Sequence, residues 1–105
     1  MKVSQKEMCP ILKCMNLLGK KWILMIIKAI SDGCKSYSEI EKNIQGVNPR
    51  TLSERLKELQ THNLVEKKIL CEEPKRCIYC LTKTGESLSK HIDELSAWAE
   101  KNFHC

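Results

Sequence analysis

The sequence lacks a long hydrophobic run, an internal repeat and an obvious linker. Its longest apolar stretch, residues 22–27, is far too short for a membrane span or an ordinary signal sequence, and the first eight residues are mostly polar. We therefore expect a protein of the cytoplasm that has no membrane partner. The chain of 105 residues, 42% of them hydrophobic, fits a single domain over residues 1–105 with a modest core of its own.

Catalytic signatures are missing as well. The chain contains no G-x-S-x-G, H-E-x-x-H or P-loop pattern, and its three histidines, His62, His91 and His104, are far apart in sequence. A thiol redox protein of the thioredoxin type would need a parallel sheet, which a mostly helical pattern does not supply. We therefore predict that the protein is not an enzyme, with a thiol redox protein as the enzymatic alternative.

Disulfide-rich architecture is disfavoured too, although cysteine is abundant. Seven cysteines make an odd number, and nothing marks the chain for export, so we expect mostly free thiols. Cys9 and Cys14 are five residues apart, about 140° around a helix, and cannot easily pair within it. We interpret Cys14 and Cys34 as packing residues.

The spacing Cys77-x-x-Cys80 is found in zinc sites and in thioredoxin-like proteins. Residues three apart on a strand point to opposite faces, so a regular hairpin would separate these two thiols. Cys71 and the chain end, His104 and Cys105, would have to join them. We predict neither a metal nor another cofactor.

The charge balance favours a polyanionic partner. Lysine and arginine total 18 against 13 acidic residues, which gives a formal charge of +5 and a pI of about 8.8. Such a balance is typical of nucleic-acid binding without proving it.

Apolar periodicity predicts five helices and one hairpin, and two helix starts carry capping signals. Ser36 and Glu39 form an S-x-x-E capping box, and Asn48 precedes Pro49, a residue suited to a first helical turn. The predicted helices cover 9–18, 22–30, 37–44, a segment beginning at Pro49 with the stripe Leu52, Leu56 and Leu59, and a segment from Thr82 with the stripe Leu88, Ile92, Leu95 and Ala99. The predicted strands are 64–71 and 77–81, around a charged tip at 72–76.

This order defines the fold class. A tight turn joins the third and fourth helices as in a helix-turn-helix, and a hairpin directly after the fourth helix makes the winged variant. We predict a mainly α protein with a small β-hairpin wing.

The fourth helix presents a candidate DNA-reading face. With its leucine stripe inward, four residues lie near the centre of the opposite face, at about 100° per residue, namely Arg50, Glu54, Lys57 and Thr61. Thr51 and Ser53 lie on the flanks. These groups can bond base edges and phosphates in a major groove, and Arg50 is the first choice for base readout. The alternative is an ordinary polar surface.

Two further elements carry candidate phosphate ligands. Lys75 and Arg76 at the hairpin tip can reach a minor groove or its phosphates, and Ser36 offers hydroxyl and backbone donors at the start of the third helix. A solvated turn that keeps the hairpin soluble is the alternative for the two basic residues. The nearby Glu72 and Glu73 weaken their field.

Over nearly its whole length the chain resembles the HxlR-type winged-helix transcription regulators, relatives of the MarR-like group. The cysteines at 71, 77 and 80 depart from the family pattern, which usually has apolar, aromatic or small polar residues there. The segments that carry the resemblance are Cys9-Pro10, 18–22, 37–40, 48–59, 63–67, 79–82 and Gly85.

The resemblance implies a homodimer built from the first and last helices, with each fourth helix in a major groove of a pseudo-palindromic operator. Members of this family repress or activate genes in response to oxidants, electrophiles or small metabolites, and many sense through a cysteine placed like Cys9. A thiol at a helix start lies at the positive end of the dipole, which favours the thiolate. The alternatives are a structural Cys9 thiol at the dimer interface and, for the whole protein, a module that binds a protein partner in place of DNA.

Overall fold

The computed structural model describes residues 9–103, and the predicted fold class is confirmed there. The helices are α1 Pro10–Leu18, α2 Ile23–Ser31, α3 Tyr37–Asn43, α4 Pro49–Thr61 and α5 Lys83–Asn102, and the strands are β1 Val65–Glu72 and β2 Lys75–Leu81. The two strands form an antiparallel hairpin between α4 and α5. Within residues 9–103, no helix combines the length and the apolar character that a bilayer crossing requires.

Helix α2 forms the centre of the core. Ile23, Ile26, Ile27 and Ile30 are at most 1% exposed, whereas Met25 is half exposed. Although almost all its residues are apolar, this helix is therefore buried on one side only. From α4, the predicted leucine stripe closes the core, and its members Leu52, Leu56 and Leu59 are all fully buried.

Helix α2 begins one residue later than predicted. Trp22 has a φ of 79°, the left-handed conformation, and it occupies the N-cap position just before the regular helix. An L-residue in that conformation cannot belong to a right-handed helix, so the regular structure starts at Ile23. Lys21 places its Nζ atom 4.8 Å from the centre of the Trp22 ring.

The helix-turn-helix has a capped start on each of its two helices, α3 and α4, with a short turn of residues 44–48 between them. Ser36 and Glu39 form the predicted capping box, and the Asn48 side chain accepts a hydrogen bond from the Arg50 backbone N–H at 2.8 Å. Between the helices, Gly46 adopts a φ of 88°, which glycine tolerates without a side-chain clash. The geometry of a helix-turn-helix follows from these local signals.

The hairpin is longer than predicted, and its turn is shorter. The register shifts between Ile69 and Cys71, so Glu72 pairs with Lys75 and only two residues make the turn. Lys75 and Arg76 therefore begin β2. The prediction that they belong to a five-residue tip, 72–76, was wrong. The extra residue on β1 is a bulge, which sequence periodicity does not reveal.

The start of α5 locks the base of the wing. The Thr82 hydroxyl donates to the Asn63 carbonyl at 2.7 Å and accepts from the Gly85 N–H at 3.0 Å. A Cβ atom at Gly85 would overlap the Leu64 carbonyl. Helix α5 therefore approaches β1 as closely as only glycine allows.

Candidate nucleic-acid interface

Helix α4 presents a polar face away from the core. Arg50, Glu54, Lys57 and Thr61 are all exposed, and the Arg50 side chain is 89% exposed. Of the two flanking residues, Ser53 is exposed and Thr51 is half-buried. The helical spacing thus predicted correctly which side chains share this surface; their contacts with DNA stay a prediction.

Arg50 has one partner within its own helix. Its Nε atom lies 3.5 Å from a carboxylate oxygen of Glu54, one turn further along. Exposed ion pairs of this kind contribute little to stability, so the guanidinium can turn away at small cost. Arg50 is therefore held near the start of α4 while remaining available to another acceptor.

Tyr37 fixes α3 against the first turn of α4. Its hydroxyl donates to the Pro49 carbonyl at 2.8 Å, and the Ser53 hydroxyl donates to it at 3.5 Å. Helical periodicity places Tyr37 at the start of α3 and does not reveal this contact. The available signal was the hydroxyl itself, which needs a partner when the ring packs against a core.

A second set of contacts holds the rear of α4. Glu58 accepts from Lys20 at 2.7 Å and from the Arg55 Nη1 atom at 2.8 Å. The Arg55 Nε–H also donates to the Lys21 carbonyl at 3.1 Å. These bonds tie α4 to the connection between α1 and α2. The hydrogen bond from Lys20, assisted by the charges of Lys20 and Arg55, lowers the pKa of Glu58 and keeps it ionised.

The wing and the start of α3 flank one open groove with a volume of about 670 Å³. Ser36, Lys75 and Arg76, three of the predicted site residues, lie along it, together with the ring of Tyr79. Tyr79 is 8% exposed, and burial raises the pKa of its phenol, which therefore stays neutral. The structure brings these elements together although they are far apart in sequence.

Ser36 already uses most of its donors and acceptors. Its backbone N–H donates to the Glu39 carboxylate at 3.0 Å, and its hydroxyl oxygen accepts from the Glu39 N–H at 3.3 Å. The first of these bonds lowers the pKa of Glu39. The backbone donor predicted for a phosphate is thus occupied, and the hydroxyl, 3.3 Å from the Ser38 hydroxyl, is the group that can still donate.

The cysteines depart most from expectation. Cys34 and Cys80 form a disulfide although they are 46 residues apart, so the interpretation of Cys34 as a simple packing residue was wrong. The sequence could not reveal the pair because it depends on how β2 meets the loop before α3. The free thiols among residues 9–103 are Cys9, Cys14, Cys71 and Cys77.

Cys9 precedes α1 directly and is half-buried. Its carbonyl accepts hydrogen bonds from the Leu12 and Lys13 N–H groups at 3.0 and 3.2 Å. Cys77 and Cys80 do not act as a pair, since Cys80 is bonded to Cys34. Over residues 9–103, no three His, Cys, Asp or Glu side chains cluster as a metal site would require. His104 and Cys105, considered for such a site, lie outside the described residues.

Comparison with known families now decides the class of protein. Residues 17–105 match the family model of the HxlR-like helix-turn-helix. The chain belongs to this family. The predicted family and the predicted role as a helix-turn-helix transcriptional regulator are thereby confirmed, and the family is one of regulators, not an enzyme class.

Individual relatives agree with this assignment. The HTH-type transcriptional regulator YodB of Bacillus subtilis is 40% identical over 95 residues, which cover 90% of this chain and 85% of YodB. YvaP, another HTH-type regulator of B. subtilis, is 38% identical over 98 residues, covering 92% of this chain and 91% of YvaP.

Solved structures extend the likeness to three dimensions. Reduced YodB superposes with a TM-score of 0.77 at 39% identity, covering 92% of this chain and 96% of that one. YodB is also known in diamide-treated and quinone-bound forms. A MarR-family structure from Porphyromonas gingivalis gives a TM-score of 0.86 at 35% identity, covering 98% of this chain and all of that one.

Proposed function

We propose that this HxlR-like regulator binds double-stranded DNA sequence-specifically, as a homodimer on a pseudo-palindromic operator. The observation that carries the proposal is the outward face of α4. It is polar and exposed, it includes an Arg50 side chain that is 89% exposed, and it rests on three fully buried leucines. A rigid helix with such a face fits the width of a major groove.

In this proposal α4 enters the groove by its N-terminal half. Arg50 reads a guanine, since a guanidinium can donate twice to the O6 and N7 atoms of that base. Lys57 and the hydroxyls of Thr51 and Ser53 bind phosphates or base edges beside it, and Glu54 accepts from a cytosine amino group. Asn48, which caps the helix, lies next to the backbone of the DNA.

The wing supplies the flanking contacts. Lys75 and Arg76 are exposed at the start of β2, and they share their groove with Ser36. Three segments of one chain then present donors to a single duplex. Phosphate contacts position a protein, whereas base contacts specify the sequence, so we assign Arg50 to specificity and the wing to affinity.

Homodimerisation is supported by a second exposed surface, which is apolar. Helix α1 and helix α5 with the residue after it leave side chains 40–66% exposed in the single chain, namely Ile11, Leu12, Met15, Leu95, Trp98 and Phe103. Several exposed apolar side chains of this size on a small protein are typical of an association surface. A twofold partner covering it would present two α4 helices to two half-sites.

Cys9 is the proposed sensor of oxidants or electrophiles. The related YodB is known in reduced, diamide-treated and quinone-bound forms. In this chain Cys9 is a half-buried thiol beside the exposed apolar part of α1. A group attached there would alter the proposed dimer surface and through it the spacing of the two α4 helices.

Fluorescence anisotropy with labelled DNA from upstream of the protein's own gene tests this function. Every protein in this test carries Cys34→Ser, so that the Cys34–Cys80 bond cannot form. We expect specific binding by the reduced protein and a changed affinity after diamide treatment, with the change absent when Cys9→Ser is added and retained with the matched Cys14→Ser control. Redox-indifferent binding would leave a DNA-binding regulator without the Cys9 sensor. Binding that is absent or insensitive to salt would instead favour the protein-interaction module.

A further inference from the structure

The backbone around Cys34 and Cys80 places the two residues opposite each other. The Lys35 N–H donates to the Tyr79 carbonyl at 3.0 Å, and the Tyr79 N–H donates to the Lys35 carbonyl at 2.7 Å. Exchange of both bonds makes this a hydrogen-bonded antiparallel pair. The adjacent pair, Cys34 and Cys80, is then of the closer type that makes no backbone bonds.

The separation of the two cysteines agrees with that geometry. Their Cα atoms are 4.4 Å apart, close to the roughly 4.5 Å that separates non-hydrogen-bonded antiparallel pairs. The two backbone hydrogen bonds can form without the disulfide, although they then open more often. The thiols of the reduced protein therefore remain positioned to form the bond again.

The two sulfur atoms differ in their access to solvent. Cys34 is exposed, whereas Cys80 is 5% exposed. An external thiolate or disulfide therefore meets Cys34 first, and Cys80 acts as the resolving partner. Disulfides that solvent can reach are the ones that exchange readily.

The bond also connects two functional segments. Cys34 lies two residues before Ser36, and Cys80 lies on the same strand as Lys75 and Arg76, which line the groove opposite Ser36. The chain between the two cysteines contains α3, α4 and β1. A covalent link at this point joins the wing directly to the start of the helix-turn-helix.

We propose that Cys34 and Cys80 form a reversible redox site, separate from Cys9, whose disulfide holds the wing against the segment that begins the helix-turn-helix. Its consequence for DNA rests on the function proposed above. The disulfide restricts the orientation of Lys75 and Arg76 before DNA arrives, which lowers the entropy lost on binding. The oxidised form therefore binds DNA more tightly than the reduced form.

The chemistry balances with a small-molecule disulfide as oxidant. The Cys34 thiolate attacks one sulfur of that disulfide, which forms a mixed disulfide and expels one small thiolate. Cys80 then loses its proton to solvent and attacks Cys34 Sγ, expelling the second small thiolate. Two protein thiols are oxidised and one small disulfide is reduced; an excess of a dithiol reverses both steps.

Peptide mapping by mass spectrometry tests the site without DNA. The full chain is incubated with glutathione disulfide, blocked with an alkylating agent and digested, then the procedure is repeated after dithiothreitol. We expect a Cys34–Cys80 cross-linked peptide that dithiothreitol removes and glutathione disulfide restores, also in the Cys9→Ser variant. Absence of this peptide after oxidation, or its persistence under dithiothreitol, would overturn the proposal.

Hydrogen exchange and anisotropy then test the consequence. On reduction we expect faster exchange at the Lys35 and Tyr79 amides and DNA binding weaker by about three- to tenfold, the size of a small ordering cost. These measurements use the Cys9→Ser background, in which Cys34→Ser should match the reduced protein under all conditions. The control is Cys71→Ser, an exposed free thiol on the same wing, which should keep the full response.

The two proposals fail in different ways. DNA affinity that is equal in both redox states, with the cross-link demonstrated, would refute the redox control while leaving the DNA-binding function intact. An oxidised protein that exchanges no more slowly than the reduced one would refute the locking of the wing. Absence of DNA binding in both states would refute the proposed function, and the exchange data would still decide whether the bond holds the wing.

Discussion

The polar outward face of α4, the α4 surface, and the exposed apolar side chains of α1 and the end of α5, the α1/α5 surface, differ in their contacts within the chain. The α4 surface is polar, and Tyr37 and Glu58 hold it in place through bonds within the chain. The α1/α5 surface leaves Leu95 and Trp98 about half exposed. The first surface suits a hydrophilic ligand, whereas the second exposes apolar area that the proposed second copy would remove from water.

The α1/α5 surface is proposed for association and the α4 surface for DNA binding, and the two roles predict different responses to mutation. Disruption of the α1/α5 surface should act through association and depend on protein concentration. Disruption of the α4 surface should act on DNA directly and depend on sequence or salt. Variants on each surface can therefore be ranked and distinguished.

The largest effect is expected from Leu95→Glu. A carboxylate at this position would be buried without a partner in the dimer, so we expect a folded monomer whose affinity for a full operator is at least about 100-fold lower. Sedimentation measures the association, and circular dichroism checks the fold. The control is Ala97→Glu, on the opposite side of α5. A dimeric Leu95→Glu protein would show that this surface is not the interface.

Arg50→Ala should have the next largest effect, confined to sequence discrimination. Loss of a two-bond contact to a guanine costs about 1–3 kcal/mol at one base pair. Anisotropy is measured with operators that are varied one base pair at a time. Compared with the unchanged protein, Arg50→Ala should lose its base preference at a single pair in each half-site. A uniform loss across all sequences would contradict base readout by Arg50 and assign it to phosphate.

Lys75→Ala should weaken DNA binding more modestly and uniformly. Removal of one phosphate contact lowers the slope of log affinity against log salt concentration by about one, with little change in sequence preference. Affinity titrations over a range of salt concentrations measure this slope. Lys83→Ala, an exposed lysine at the start of α5, provides the comparison. An unchanged slope in Lys75→Ala would show that the wing stays in solvent.

Glu58→Gln should give the smallest effect, on stability. The lowered pKa of Glu58 means that its stabilising contribution is complete above its ordinary pKa of 4.5 and is lost as the pH falls below that value. We expect the variant to be less stable by about 0.5–1 kcal/mol at pH 7, a difference that shrinks in acid. Urea denaturation at several pH values, with the exposed Glu100→Gln as control, measures it. A difference that is constant with pH would exclude the charge of Glu58 as its cause.

Most of the α4 surface could be predicted from sequence because its determinants are local. The leucine stripe sets which side of the helix is buried, and the remaining positions follow from helical geometry. Asn48 and the Ser36–Glu39 box marked the helix starts for the same reason, since capping acts over three residues. The bulge in β1 was not predicted because one extra residue cannot be recognised in a short alternating pattern.

By itself, the sequence determined the order of helices and strands, the side of α4 that packs inward, and the charge of the outward face of α4. These follow from interactions within a few residues of one another. Tertiary structure alone decided the left-handed Trp22, the bond from Tyr37 to Pro49, the attachment of Glu58 to Lys20 and the Cys34–Cys80 disulfide. Each of these depends on how separate elements pack and align, and sequence spacing carries no direct record of that alignment.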